Sequence, residues 1–183
     1  MRWLVPAFLA FALAAPASAA ARGAFVVGDS LALGAKPYLA DDLDGWRIRT
    51  SAVVGRHTDA GIDALRAAER LPATVAVSLG TNDDPRLVDA FERYVKDVLR
   101  IAGKDRCIVW ATIRRPAVAG TSYSGYNAVL ARYARERDNF AIVRWKRMAD
   151  RHPEWLAADG VHATADGYAA RARAYARKLR DCG

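Results

Sequence analysis

Histidine and cysteine are scarce in this chain, with three His and two Cys in 183 residues. No spacing gathers them into a metal-ligating set, and Asp29, Asp83 and Asp84 have no His or Cys beside them. No metal or other cofactor is therefore expected. Internal repeats and low-complexity linkers are missing as well, so the length corresponds to one domain with a real core. Beyond the first residues, no apolar run is long enough to cross a bilayer, so no stable membrane anchor is expected. Acidic residues are the minority charge, 20 against 28 Lys and Arg, for a net charge of +8. The arginines are scattered along helical patterns (Arg132, Arg135 and Arg137; Arg171, Arg173 and Arg177) and read as solvated faces. Binding to nucleic acid is not expected; attraction to an anionic cell-wall polymer or lipid is the partner that the charge suggests.

Met1-Arg2, the apolar stretch Trp3 to Ala15 and the small residues Ala17-Ser18-Ala19 form the three parts of a secretory signal peptide. Residues 1–19 are read as that leader and 20–183 as the functional domain, secreted or periplasmic. In such a compartment the even cysteine count predicts a disulfide between Cys107 and Cys182. Cys107 opens a predicted strand, and Cys182 ends a helix that starts at the opposite end of the sheet, so the two cysteines arrive at the same end.

Apolar runs alternate with helical patterns. Strands are expected at Ala24–Val27, Trp46–Val53, Thr74–Leu79, Cys107–Thr112 and Phe140–Val143. Helices are expected at Leu33–Leu43 with Pro37 in the first turn, at Asp59–Ala68, and from Asp84 as N-cap with Pro85 at the first position. Two more cover Tyr123–Glu136 and Thr164–Leu179. Arg114–Ser122 and Met148–Ala163 are read as irregular. This alternation predicts an α/β domain with a mainly parallel sheet covered on both faces.

Three segments that carry chemistry follow element boundaries. Gly28-Asp29-Ser30-Leu31 puts a serine on a strand-to-helix turn, where helix amides support developing negative charge. Taken alone, the same tetrapeptide also serves as a helix cap. Asp159-Gly160-Val161-His162 supplies a base and a carboxylate at a spacing that lets the carboxylate hold one ring nitrogen while the other faces a serine. Candidate oxyanion donors are the amides of Ser30 and Gly55 and the side-chain amide of Asn82, each after a strand. His57 is rejected as the base for want of a well-spaced carboxylate other than Asp59, and His152 is read as structural. Arg56, Arg114 and Arg115, in loops at the motif end, read as surface arginines, with contact to an anionic substrate as the alternative. Trp110, Trp145, Trp155 and Tyr123 are candidates for a sugar or acyl pocket, with at least two of them assigned to the core.

These blocks resemble the SGNH (GDSL) hydrolase family: Gly28-Asp29-Ser30-Leu31, Gly55, Gly80-Thr81-Asn82-Asp83 and Asp159-Gly160-Val161-His162 match its successive blocks in order. The resemblance implies a flavodoxin-like three-layer α/β/α sandwich with a five-stranded parallel sheet in the order 2-1-3-4-5. It also implies Ser30 as nucleophile, His162 as base, Asp159 as its orienter, and an oxyanion hole of Ser30, Gly55 and Asn82. The implied activity is a serine esterase acting on short acyl esters, on a small molecule or on cell-wall carbohydrate. Val53-Val54-Gly55-Arg56, Tyr126 to Leu130 and His152 to Leu156 are further similar to extracytoplasmic domains of cell-wall O-acetyltransferases. O-acyl transfer is the alternative on that ground, and a lysophospholipase or lipase-type esterase is another.

Overall fold

A computed structural model describes residues 22–182, so the leader and its cleavage site lie outside the described residues. Five strands, β1 (Gly23–Gly28), β2 (Arg47–Ala52), β3 (Thr74–Ser78), β4 (Cys107–Ala111) and β5 (Phe140–Val143), form one sheet. Their order is β2-β1-β3-β4-β5, and every pairing is parallel. This is the expected doubly wound topology, and it brings the ends of β1, β2, β3, β4 and β5 to one rim.

Alternation along the strands sorts their side chains onto two unlike faces. Phe25, Val27, Val75, Val77, Ile108 and Trp110 point to one side. There they meet α2 (Thr58–Arg66), α3 (Val88–Ala102) and α4 (Ser124–Glu136). Large rings fill this layer: Phe91 stacks on Tyr126 at 4.0 Å between centroids and meets Trp110 edge-on at 5.6 Å. Ala24, Val26, Ala76, Val109 and Ala111 point the other way, to α1 (Ser30–Asp42), α5 (Trp145–Arg151) and α6 (Ala165–Asp181). Small residues dominate this second layer and let α1 and α6 approach closely.

Several element boundaries differ from the sequence expectation. Asp29, not a later residue, caps α1 by accepting the Leu31 amide at 3.0 Å, so the helix begins at Ser30 and Pro37 falls in its interior. Pro37 and Leu33 are both exposed, so water can solvate the Leu33 carbonyl that the proline cannot serve. Asp84 does not cap α3: its carboxylate accepts the Arg86 amide at 3.0 Å in a local turn, and the helix starts at Val88. Within the stretch read as irregular, residues to Arg151 belong to α5 and Pro153–Trp155 forms a 3₁₀ turn. Short helices are hard to read because seven residues show too little periodicity.

Cys107 and Cys182 form a disulfide with Cα atoms 5.8 Å apart, joining the start of β4 to the end of α6. No helix among the described residues is long and apolar enough to cross a membrane.

Candidate active site

Ser30 stands where β1 passes into α1. A Cβ at Gly28 would lie 2.4 Å from the Ala32 Cβ, so only glycine lets the helix fold back tightly onto the strand end. The amides of Leu31, Ala32 and Leu33 are all taken by Asp29, through its side chain or its carbonyl. The Ser30 amide, at the first helical position, has no intrahelical acceptor and is the spare donor of this turn.

The other half of the site is a pinned loop. An isolated bridge pairs Leu156 with Ala163, and Ala157 N–H donates to the His162 carbonyl at 2.8 Å. One Asp159 carboxylate oxygen accepts the amides of Val161 at 2.9 Å and His162 at 3.0 Å. Its second oxygen lies 2.6 Å from His162 Nδ1. These contacts, the imidazole hydrogen bond first, hold the Asp159 carboxyl down at about 2. With Nδ1–H committed to the carboxylate, Nε2 is the acceptor, and it lies 2.9 Å from Ser30 Oγ. Residues 132 positions apart in sequence thus form a continuous hydroxyl–imidazole–carboxylate relay. The closing helix is capped separately, by Thr164.

A pocket of about 380 Å³ opens over the relay, lined by Ser30, Asn82, Asp159, His162 and a wall of Pro116, Ala117 and Val118. That wall is the base of a small hairpin, in which Val118 and Thr121 exchange two backbone hydrogen bonds around Ala119 and Gly120. Both turn residues have positive φ, the condition for a tight two-residue hairpin loop. Asn82 enters after β3, and its side-chain NH₂ donates to the Arg56 carbonyl at 3.2 Å, with Asp29 Oδ2 farther away at 3.5 Å. Only the first contact is a well-formed hydrogen bond, which leaves one N–H for an incoming oxygen. Gly55 is brought less close: it occupies an exposed turn with φ +72°, and it is not among the residues lining the pocket.

No family model matches the chain. Over 90% of its length it is 28% identical to the thioesterase 1/protease 1/lysophospholipase L1 of Escherichia coli K12, covering 86% of that protein. The C-terminal catalytic domain of Streptococcus pneumoniae peptidoglycan O-acetyltransferase A matches 88% of this chain and 92% of its own, at 24% identity and a TM-score of 0.67. A lipase/acylhydrolase from Enterococcus faecalis matches 87% and 96%, at 18% identity and a TM-score of 0.73. In sequence and fold the chain resembles the SGNH (GDSL) hydrolases.

Behind the relay, the domain carries a layer that the sequence pattern did not disclose. Arg171, grouped there with solvated arginines, is 2% exposed. It lies on α6 between the faces of Trp145 and Tyr175, at 5.1 and 5.5 Å from the ring centroids. Its Nη2 donates to Ser78 Oγ at 2.9 Å. Ser78 closes the gap to the Ser30 turn, because its carbonyl accepts the Asp29 amide at 3.1 Å. Burial pushes the fully enclosed Asp29 carboxyl upward, and Arg171 opposes that rise. A signal was present in the sequence: Gly167, Arg171 and Tyr175 recur every four residues, and the outer two are buried.

Other residues hold the loops around the relay. Tyr123 Oη donates to the carbonyls of Thr81 at 3.1 Å and Asp83 at 2.9 Å, so it braces the Asn82 loop. Trp110 and Trp145 are wholly buried in the two core layers. Trp155 is half-buried under His152, with ring centroids 4.0 Å apart. Arg114 donates to the Gly160 carbonyl in the His162 loop, Arg115 donates to the Thr81 carbonyl, and Arg56 folds onto the Ser51 carbonyl at 2.6 Å. These three arginines are loop braces, and only Arg115 also lines the pocket. His57 pairs with Asp83 at 3.1 Å rather than with Asp59.

Proposed function

We propose that the chain is an exported serine esterase that hydrolyses short acyl esters through Ser30, His162 and Asp159. The observation that carries this reading is the 2.9 Å approach of Ser30 Oγ to His162 Nε2, with Asp159 held behind the ring at 2.6 Å. In the first step, Ser30 attacks the ester carbonyl carbon while its proton passes to His162 Nε2. Asp159 stabilises the imidazolium that results. The negative oxygen of the tetrahedral intermediate is met by the Ser30 amide and the free Asn82 N–H. Collapse breaks the ester C–O bond, and His162 returns the proton to the departing alcohol. A water then attacks the acyl-serine with His162 again as base, releasing the acid and restoring Ser30.

The open pocket beside the Pro116–Val118 wall has room for a short acyl group over Ser30. Export is supported by the disulfide, which belongs to oxidising compartments. Organophosphonate treatment followed by peptide mass analysis tests the proposal: one adduct on Ser30 and loss of acetyl-ester hydrolysis are expected. An unlabelled Ser30 in active protein would move the nucleophile elsewhere. A second reading, O-acetyl transfer to cell-wall glycan, is favoured by the likeness to the pneumococcal O-acetyltransferase domain. Given an acyl donor and a glycan acceptor, transfer yields acylated glycan, whereas hydrolysis yields only free acid. The E. coli relative also motivates a lysophospholipid arm in the same panel.

A further inference from the structure

Away from the relay, the sheet ends in β5, which among the described residues pairs only with β4. Two depressions run on from one another along this edge, of about 490 and 370 Å³, and share Ala131, Ile142 and Arg144. Their floor is small and apolar. Their walls carry six cations, Arg135 of α4, Arg144, Lys146, Arg147 and Arg151 in and before α5, and Lys178 of α6, against the single carboxylate of Asp150. Lys146 takes that carboxylate at 2.5 Å. Among the described residues, Arg135, Arg144, Arg147 and Arg151 have no carboxylate within 4.0 Å. Like charges converging on one groove repel one another unless an anion lies between them.

We propose that this groove binds a linear, phosphate-bearing polyanion. Guanidinium forks match phosphate oxygens in pairs, and four arginines along the groove require charge repeated along the ligand rather than one anion. The cationic stretch has an end: where the groove continues past Lys178, Asp105, Asp138 and Asp181 enter the lining and balance the charge. No exposed aromatic lines either depression, so there is no platform on which nucleic-acid bases would stack. Strand addition by an acidic peptide is disfavoured, because a four-residue edge presents few outward backbone groups. The groove opens at Thr112 and Arg144, which follow β4 and β5 on the rim that carries Ser30. Asp150 in its wall also faces Arg114 at 3.7 Å, and Arg114 grips the His162 loop at Gly160. A polymer seated here would lie beside the relay, so the groove serves to hold the protein on its anionic surroundings.

The test titrates the mature protein with fluorescently labelled inorganic polyphosphate at several salt concentrations, with monophosphate and polyglutamate in parallel. Saturable polyphosphate binding with a steep salt dependence is expected. Arg144→Ala combined with Arg147→Ala should weaken it at least tenfold and lower the log–log salt slope by about two. Arg173→Ala combined with Arg177→Ala, exposed positions outside the groove lining, should leave affinity within twofold. Circular dichroism and acetyl-ester turnover should match the parent in both variants. Equal binding by parent and groove variant, or equal weakening by the control pair, would overturn the site. Monophosphate binding as tight as the polymer would overturn the polymeric ligand, and polyglutamate binding as tight with the same variant dependence would replace phosphate by an acidic peptide.

Discussion

Replacing Asp159 by asparagine alters one hydrogen-bonding atom in a loop whose geometry dictates where that atom goes. In the parent, one carboxylate oxygen accepts two backbone amides, from Val161 and His162, and the other faces His162 Nδ1. An asparagine must keep its oxygen on the two amides, because its NH₂ cannot accept from them. The NH₂ is then forced to face Nδ1 and to donate to it. Nδ1 becomes an acceptor, the ring proton moves to Nε2, and Nε2–H points at Ser30 Oγ in place of a lone pair. The base is present, in position and in the wrong tautomer. For this kind of wrong-tautomer change the turnover loss is about 10⁴-fold, or roughly 5–6 kcal/mol of barrier. Steady-state hydrolysis of p-nitrophenyl acetate reads the effect: kcat falls by about that factor while KM and the thermal midpoint at neutral pH stay near the parent values. Asp159→Ala, which loses the two amide acceptors as well, should also unsettle the loop and lower the midpoint. A kcat for the asparagine variant within tenfold of the parent would refute the assignment of the 2.6 Å contact as the tautomer-setting bond.

Three further outcomes are expected. Asn82→Ala should lower kcat by about 10²–10³ with the fold intact, since its free N–H is offered to the developing oxyanion; an unchanged rate would remove Asn82 from that role. Arg171→Met should cost roughly 2–3 kcal/mol by denaturant titration, less than the 3–5 typical of an orphaned buried charge, because Arg171 Nε and Nη1 have no acceptors to lose. Its pH signature is specific: the folded pKa of Asp29 is raised, so stability falls as pH rises from about 4 through that pKa. Removing Arg171 pushes the window's upper end further up, so the gap between variant and parent should widen with pH; a constant gap would mean that Asp29 does not sense Arg171. Replacing both cysteines by serine opens a loop spanning 75 residues and should lower stability by up to about 4–5 kcal/mol, with the parent matching the variant once reduced.

Strand–helix alternation and the motif blocks were open to reading along the chain, whereas the sheet order came only with the resemblance those blocks carry. Each rests on a local rule: β-branched and alanine-rich strands, a glycine before a tight turn, an Asp-x-x-His loop that satisfies its own amides. Ser30, His162 and Asp159 fall in that class because each motif carries its local geometry with it. Pro37 and Asp84 were misplaced by the same locality, since capping depends on which neighbouring amide a carboxylate reaches first. Arg171 shows where local reading stops. Only its place four residues from Gly167 and Tyr175 separates it from Arg173, yet one is enclosed by Trp145, Tyr175 and Ser78 while the other faces water. The free Asn82 N–H, the bracing of the His162 loop by Arg114 and the gathering of Arg135, Arg144, Arg147 and Lys178 along one edge have the same character. Sequence settles what a residue can donate, accept or carry, and which turn it favours. Which groups end up facing one another is settled by packing, because burial and distance are properties of elements brought together from far apart in the chain.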